Sequence, residues 1–333
     1  MRVVQFRVFG GSEVLEVADA VLPQPHRGEI AVDVRYAGVN FADIMLRRGA
    51  LAGTPLPTVP GLEVAGTVAE IGPGVSGFAY GEPVAAFSWT PGKAMGGYAQ
   101  RVVLDSRLAV PLRRAERELR YEEGAGFACA AVTAYQLLAD VARLRPGETV
   151  LVQSAAGGVG SLAVQFARAL GAARIFGVVG SASKTEAALA AGCDRVVLRE
   201  GWIEAVRSFT GGRGVDIALE SVGGDSLAAC LQVLAPFGRV AYFGDASGSG
   251  PISLPAFDLW FGTKGVLGYN IGGLAAASPE SWNGAANRAI ELIANGAVRL
   301  APTRIYPLER AAEAQHALET RASTGKMLLQ VTS

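Results

Sequence analysis

The stretch that most narrows what this chain can fold into is TVLVQSAAGGVGSLAVQFARALGA, residues 149–172. A β-branched run, a cluster of small residues and an Ala/Leu-rich run follow one another, which reads as strand, tight turn and helix. Inside the turn lies Ala155-x-Gly157-x-x-Gly160. A dinucleotide-binding turn needs a sharp reversal, then close backbone approach to the pyrophosphate, then close packing of helix on strand. Gly157 and Gly160 match the second and third roles, and Ala155 stands in the first. Gly158 and Val159 complete the loop, where a helix N-terminus offers free N–H groups and a positive dipole to phosphates.

The surroundings fit that reading. From about residue 124 a helical stretch, GFACAAVTAYQLLADVARL, leads into alternating strand-like and helix-like segments. The strands are TVLVQSA, RIFGVV, DRVVL, VDIALES, RVAYFG and GVLGYN, with helices starting near 158, 182, 201 and 225. This βαβ spacing predicts a doubly wound parallel sheet of the Rossmann kind, and so an α/β fold class. Before it, short β-type runs split by Gly and Pro (EIAVDVRYAG, EVAGTVAEIG, EPVAAF, GYAQRVVL) predict a β-rich unit, with one helix, NFADIMLRRG, ending at Gly49. After about residue 270 the rhythm is lost, and the tail can complete the first domain.

The second strand bears on which dinucleotide is bound. NAD binders usually place an acidic residue about 20 residues past the loop, on the ribose 2′-OH. Here RIFGVV ends in Gly180-Ser181-Ala182-Ser183-Lys184, and the first carboxylate, Glu186, comes later, in the helix. Small hydroxyls, a helix start and a cation suit a 2′-phosphate instead, which points to NADPH with Lys184 as its partner. Lys184 is one of four lysines in a chain with 30 basic residues; Arg199 is the weaker second candidate.

Composition excludes several classes. Half of the 333 residues are hydrophobic and 18% are charged, as in a globular protein with a large core. A formal net charge of zero gives no electrostatic reason for nucleic-acid binding. Cys129, Cys193 and Cys230 are too few and too scattered for a disulfide framework, which fits a reducing, cytoplasmic setting. The apolar run 124–139 is too short to span a bilayer, and glycines and glutamines interrupt 149–167, so no membrane association is expected.

At this point the residues resemble a known family. GETVLVQSAAGGVGSLAVQFAR is similar to the signature of the quinone oxidoreductase (zeta-crystallin-like) branch of the medium-chain dehydrogenases/reductases. GVNFADIMLRRG, VPGLEVAGTV, GGYAQRVVL, AVTAYQLL, ESVGGDSL and RASTGKMLL follow in the family's order. The resemblance implies a GroES-like catalytic domain at 1–122, completed by 268–333, and a Rossmann NADPH-binding domain at 123–267. It also implies a homodimer in which the edge strand near GVLGYN pairs with its twin.

Zinc-dependent relatives bind metal through a Cys in GxCxxD and a His in GHE. Here Asn40 and Leu62 occupy those places, and His26 and His316 lie far off in sequence. Catalytic zinc wants three protein ligands, so no zinc is expected; Glu63 then reads as a hydrogen-bonded structural carboxylate and His316 as a helix-surface residue. Without a Lewis acid, the hydride acceptor should be already electron-poor. The expected activity is NADPH-dependent reduction of a small electrophile, a quinone or another α,β-unsaturated carbonyl. The alternatives are an enoyl thioester reductase of polyketide-type biosynthesis and a largely non-catalytic NADPH-binding protein.

The resemblance also supplies site residues. Asn40 is expected beside the nicotinamide, donating to the substrate oxygen or orienting the ribose while N-capping its helix. Thr133 is the second such candidate, through its hydroxyl. Phe243, Gly244, Tyr269 and Asn270 should line the carboxamide side, and Arg321 resembles a family Arg that reaches the 2′-phosphate. Met45 and Leu51 stand where some members carry tyrosines, implying an apolar acceptor pocket, and Leu198 replaces a Tyr near the 2′-phosphate.

Overall fold

The structure, a computed structural model, describes residues 1–114 and 117–332. The chain divides into two units: residues 1–132, 271–296 and 300–333 form the first, and 133–270 with 297–299 the second. The divisions thus fall at 132/133 and 270/271, rather than at 122/123 and 267/268. The first lies inside the helical run after residue 121, where composition gives no break.

In the first unit β1 (Arg2–Gln5) and β2 (Glu16–Asp19) form a two-stranded sheet. β1 ends at Gln5, and Phe6 bridges Thr58 instead. The main sheet is built from β3 (Glu29–Val39), β4 (Glu63–Ile71), β5 (Pro83–Phe87), β6 (Arg101–Asp105) and β7 (Ala109–Pro111). Between β3 and β4 lies α1 (Phe41–Arg47), and Gly49 follows it in the left-handed region that a C-terminal cap requires. Ile30, Val32 and Val34 of β3 are fully buried, each a side chain worth about 1.5–3 kcal/mol when withdrawn from water. α2 (Tyr121–Gly124) leads into a π-helical turn, Phe127–Ala131, every residue of which is buried. Such a turn marks an inserted residue, often at a functional position.

The second unit begins in α3 (Val132–Gln136), which a second π-helical turn, Leu137–Val141, extends. Its sheet consists of β8 (Thr149–Val152), β9 (Arg174–Val179), β10 (Arg195–Leu198), β11 (Val215–Glu220), β12 (Leu234–Tyr242) and β13 (Gly265–Gly268). All neighbours are parallel, in the order β10-β9-β8-β11-β12-β13. In chain order that is the 3-2-1-4-5-6 arrangement of a doubly wound dinucleotide fold, with its switch point between β8 and β11. The crossovers carry α4 (Gly158–Ala169), α5 (Thr185–Ala190), α6 (Trp202–Phe209), α7 (Asp225–Gln232) and α8 (Ala256–Gly262). Helix α4 buries Leu162, Val164 and Phe166 and stops at Leu170, before Gly171 at positive φ.

The chain then returns to the first unit through α9 (Ile271–Ala277), α10 (Pro279–Ala294), β14 (Pro302–Pro307), α11 (Ala311–Glu319) and β15 (Lys326–Gln330). β15 adds antiparallel to β3, with Met327 opposite Val39. The tail therefore extends the main sheet of the first unit, with β14 as its edge strand. Buried Trp282 of α10 donates its indole N–H to the Ala128 carbonyl, 3.2 Å away. Among the described residues, no helix is long and apolar enough to cross a membrane.

Candidate functional site

In the second unit, the parallel sheet brings one set of expected residues to a single edge, the carboxyl ends of its strands. After β8 the chain turns sharply at Ser154, whose φ of 53° is left-handed, and the Gly157 N–H closes the turn on the Ser154 carbonyl at 2.8 Å. The conformational demand expected at Ala155 thus falls one residue earlier. Ala155 is instead fully buried, with its N–H on the Val178 carbonyl at 3.1 Å. Its smallness serves packing: a Cβ built on Gly177 of β9 would stand 2.8 Å from the Ala155 Cβ.

Gly157 and Gly160 differ in kind. A Cβ on Gly160 would stand 2.3 Å from the Ser154 carbonyl oxygen and 3.0 Å from the Ala155 Cα, so helix and strand meet there too closely for any side chain. A Cβ on Gly157 would meet only the Ser154 oxygen, at 3.2 Å. Gly157 therefore faces open space, and the first-turn N–H groups of α4, including those of Gly158 and Val159, have no preceding helical turn to bond to.

At the tip of β9, Gly180 and Ser181 are exposed, and the Ser181 and Ser183 hydroxyls are 2.9 Å apart. Lys184 closes the short turn Ala182–Lys184 and is half-buried. The Arg199 N–H bonds the Val179 carbonyl at 3.0 Å, and its guanidinium lies 3.9 Å from the Cβ position of Gly180. Arg199, second choice on sequence, thus has its charge at the strand tip. Leu198, the last residue of β10, is exposed.

Phe243 and Gly244 follow β12, and the Phe243 N–H bonds the Glu220 carbonyl at the end of β11, 3.0 Å away. Tyr269 and Asn270 follow β13; the Tyr269 hydroxyl donates to Gln136 Oε1 at 2.7 Å. Thr133 is buried three residues before Gln136 on α3, hence on the same face of that helix. Sequence reasoning missed Glu220, which is buried and accepts from the Gly223 N–H at 3.0 Å and the Ser226 hydroxyl at 2.7 Å. Its signal was a carboxylate that follows the apolar run Ile217-Ala218-Leu219 at the end of the strand.

In the first unit, Asn40, Asp43, Glu63 and Lys326 form a buried polar cluster. The Asn40 backbone sits at the N-cap of α1, but the reciprocal bond comes from Asp43, whose carboxylate accepts the Asn40 N–H at 2.8 Å. The Asn40 side chain turns the other way: Nδ2 donates to Glu63 Oε1 at 3.1 Å and to the Gly38 carbonyl at 3.4 Å, and Oδ1 accepts from Lys326 Nζ at 2.7 Å. Glu63 also accepts the Cys129 and Ala130 N–H groups at 2.7 and 3.3 Å, the free donors of the first π-helical turn. As a fully buried, hydrogen-bonded carboxylate, Glu63 has the environment expected of it. No spacing in the chain pairs it with Lys326, which β15 delivers beside Val39.

The remaining groups set the electrostatics. Asp43 accepts from the Gly61 N–H at 2.8 Å and faces the Tyr98 hydroxyl at 3.4 Å. Burial raises its carboxyl pKa to about 7, against the pull of the Asn40 and Gly61 N–H groups and of Lys326. Burial, then the Glu63 charge, pushes the Cys129 thiol well above its ordinary value, so it stays protonated. Among the described residues, no group of three His, Cys, Asp and Glu side chains could hold a metal ion. His26 and His316 are both exposed, and His316 lies on the surface of α11. Met45 and Leu51 are half-buried in and just after α1, while Arg321 is exposed and left-handed just beyond α11.

Comparison with known proteins agrees with this architecture. Residues 26–114 match the family model of the alcohol dehydrogenase GroES-like domain, and residues 158–291 match that described as zinc-binding dehydrogenase. Quinone oxidoreductase 1 of Escherichia coli is 32% identical, with 98% of both chains covered. The crystal structure of an Escherichia coli quinone oxidoreductase complexed with NADPH superposes with a TM-score of 0.89 at 31% identity, covering 99% of this chain and 100% of that one. A mycobacterial protein complexed with NADPH gives 0.90 at 31% identity, with 99% and 100% covered. The chain belongs to the quinone oxidoreductase family of the medium-chain dehydrogenases/reductases.

Proposed function

We propose that this protein is an NADPH-dependent, zinc-free reductase of quinones or other α,β-unsaturated carbonyls. The observation that carries the reading is the β9 tip. Arg199, Lys184 and two serines gather there, while the first carboxylate in sequence, Glu186, lies inside α5. A ribose 2′-hydroxyl calls for a carboxylate; a 2′-phosphate calls for the groups present.

NADPH, when bound, supplies the hydride. The chain's own residues would do the rest. The α4 N-terminus with Gly157 binds the pyrophosphate, and Phe243, Gly244, Tyr269 and Asn270 hold the nicotinamide end. Thr133 would orient the ring, and Asn40, whose two amide hydrogens go to Glu63 and Gly38 rather than to an acceptor oxygen, would orient a neighbouring hydroxyl through the second lone pair of Oδ1. Met45 and Leu51 would offer the acceptor an apolar wall. Positioning and hydrogen bonding are then the main contributions of the protein.

The zinc-free reading rests on the donor set. An amide, a leucine, a carboxylate already holding two backbone N–H groups and an ammonium, and a protonated thiol are not a zinc shell. We further propose a homodimer through the open edge of β13, which among the described residues pairs with β12 alone. Just before it, Phe257, Trp260 and Phe261 are 66, 72 and 78% exposed and in mutual ring contact, an apolar patch of the kind that marks an interface. The three buried, unpaired cysteines support a cytoplasmic setting.

Steady-state NADPH oxidation with a panel of quinones, enones and crotonyl-type thioesters tests the activity. A thioester preference of about 100-fold, roughly 2.7 kcal/mol of transition-state discrimination, would reassign the protein to enoyl reduction. Tight NADPH binding without turnover on any acceptor would reassign it to a binding role.

A further inference from the structure

Lys326 is buried at the first position of β15, and its ammonium has three oxygen neighbours. Glu63 Oε1 lies at 2.5 Å, Asn40 Oδ1 at 2.7 Å and the Val39 carbonyl at 2.9 Å. An ammonium has three hydrogens to donate, so its capacity is filled. One carboxylate and two neutral carbonyl oxygens around a single charge also make a set that hard cations use.

The surroundings are shaped to this set. A Cβ on Gly38 would stand 2.4 Å from Glu63 Oε1, and one on Gly126 would stand 3.1 Å from the Lys326 Cγ. Glycine at 38 admits the carboxylate, and glycine at 126 leaves the lysine stem its path. Because lysine only donates, its approach fixes which end of the Asn40 amide faces it. The two N–H bonds to Glu63 and Gly38 follow from that choice.

We propose that Lys326 is this protein's resident cation: its ammonium takes up the oxygens of Glu63, Asn40 and Val39 and leaves that cluster without a place for a metal ion. Lys326 holds this place whatever the hydride acceptor is. A neutral side chain at 326 would leave the Glu63 charge buried beside an emptied cage, and a small cation from solution could then enter.

The test uses the full-length protein and its melting temperature, so it needs no activity. Lys326→Met should lower Tm by roughly 5 °C or more, since breaking a buried pair strands its partner. Adding Glu63→Gln to that variant should regain most of the loss, and if Lys326→Met does not fold, folding of the double variant supports the same conclusion. Lys326→Ala should regain Tm with methylammonium and not with methanol, while the unsubstituted protein responds to neither. A Lys326→Met protein that melts like the unsubstituted one would overturn the proposal. So would equal rescue by methanol, or one equivalent of zinc held by the unsubstituted protein through chelation.

Discussion

The carbonyl oxygen of Ser154 stands 2.3 Å from the place a Cβ on Gly160 would take, and that relation separates the two glycines of the loop. At Gly160 the obstacle is backbone, which cannot step aside. Gly160→Ala should cost about 1–3 kcal/mol of stability with no nucleotide present, seen as a lower Tm. At Gly157, with φ of −84°, Ala meets one atom at 3.2 Å. Gly157→Ala should melt close to the unsubstituted protein, and Gly157→Val should weaken NADPH and NADH alike. Fluorescence titration of the folded variants checks this; a Gly157→Val protein with unchanged cofactor affinity would sink the pyrophosphate assignment.

The β9 tip gives a second prediction. Removing one charge-assisted contact to a 2′-phosphate costs about 1.5–3 kcal/mol, hence roughly tenfold or more in affinity. Arg199→Ala and Lys184→Ala should each weaken NADPH by that factor and leave NADH nearly unchanged. Arg199 should show the larger effect, because its guanidinium stands against Gly180. Equal losses for both nucleotides would mean that these side chains support the fold instead.

Much of this was legible because βαβ units are local. Four of the five crossovers of the parallel sheet carry a helix of ordinary pattern, and that succession leaves little choice of fold. α8 and α9 were not legible: AFDLWFG is apolar around most of its turn and IGGLAAA is nearly all small, so neither shows a helical stripe. Ser154 was hidden because its left-handed backbone is unusual for a residue with a side chain. Lys326 was visible as a rare lysine, yet it meets Asn40 across 286 residues of sequence, and only the register of β15 on β3 makes them neighbours.

Asp43 makes stability depend on pH in a set direction. Its folded-state pKa of about 7 lies above the ordinary 3.8, so the folded state holds the proton more tightly than the unfolded one. That contribution is complete below about pH 4 and is lost as pH rises to about 7 and beyond. Asp43→Asn removes the titration, and it also sets an amide donor against N–H groups that the carboxylate accepts. The Tm gap between the protein and this variant should therefore be wider at pH 5 than at pH 8. A gap that stays the same from pH 5 to pH 8 would show that Asp43 is ionised throughout.

Arg47 offers the most severe test of the first unit. Its side chain is fully buried, yet its guanidinium donates to the Gly10 carbonyl and Gln315 Oε1 at 2.8 Å each and to Glu319 at 3.0 Å. It thereby ties α1 to α11 and to the chain before β2. Glu319 also pairs with the more exposed Arg48, so losing Arg47 leaves that carboxylate one partner. Gln315 Oε1 and the Gly10 carbonyl lose theirs outright among the bonds described. Arg47→Met keeps most of the volume and should still cost about 3–5 kcal/mol, the usual penalty for breaking a buried pair from one side. Arg48→Met, on the exposed side of the same carboxylate, should cost about 1 kcal/mol or less. Denaturant titration of the two variants side by side measures the contrast, and equal losses would mean that the charge on Glu319, and not the buried fork of Arg47, joins the helices.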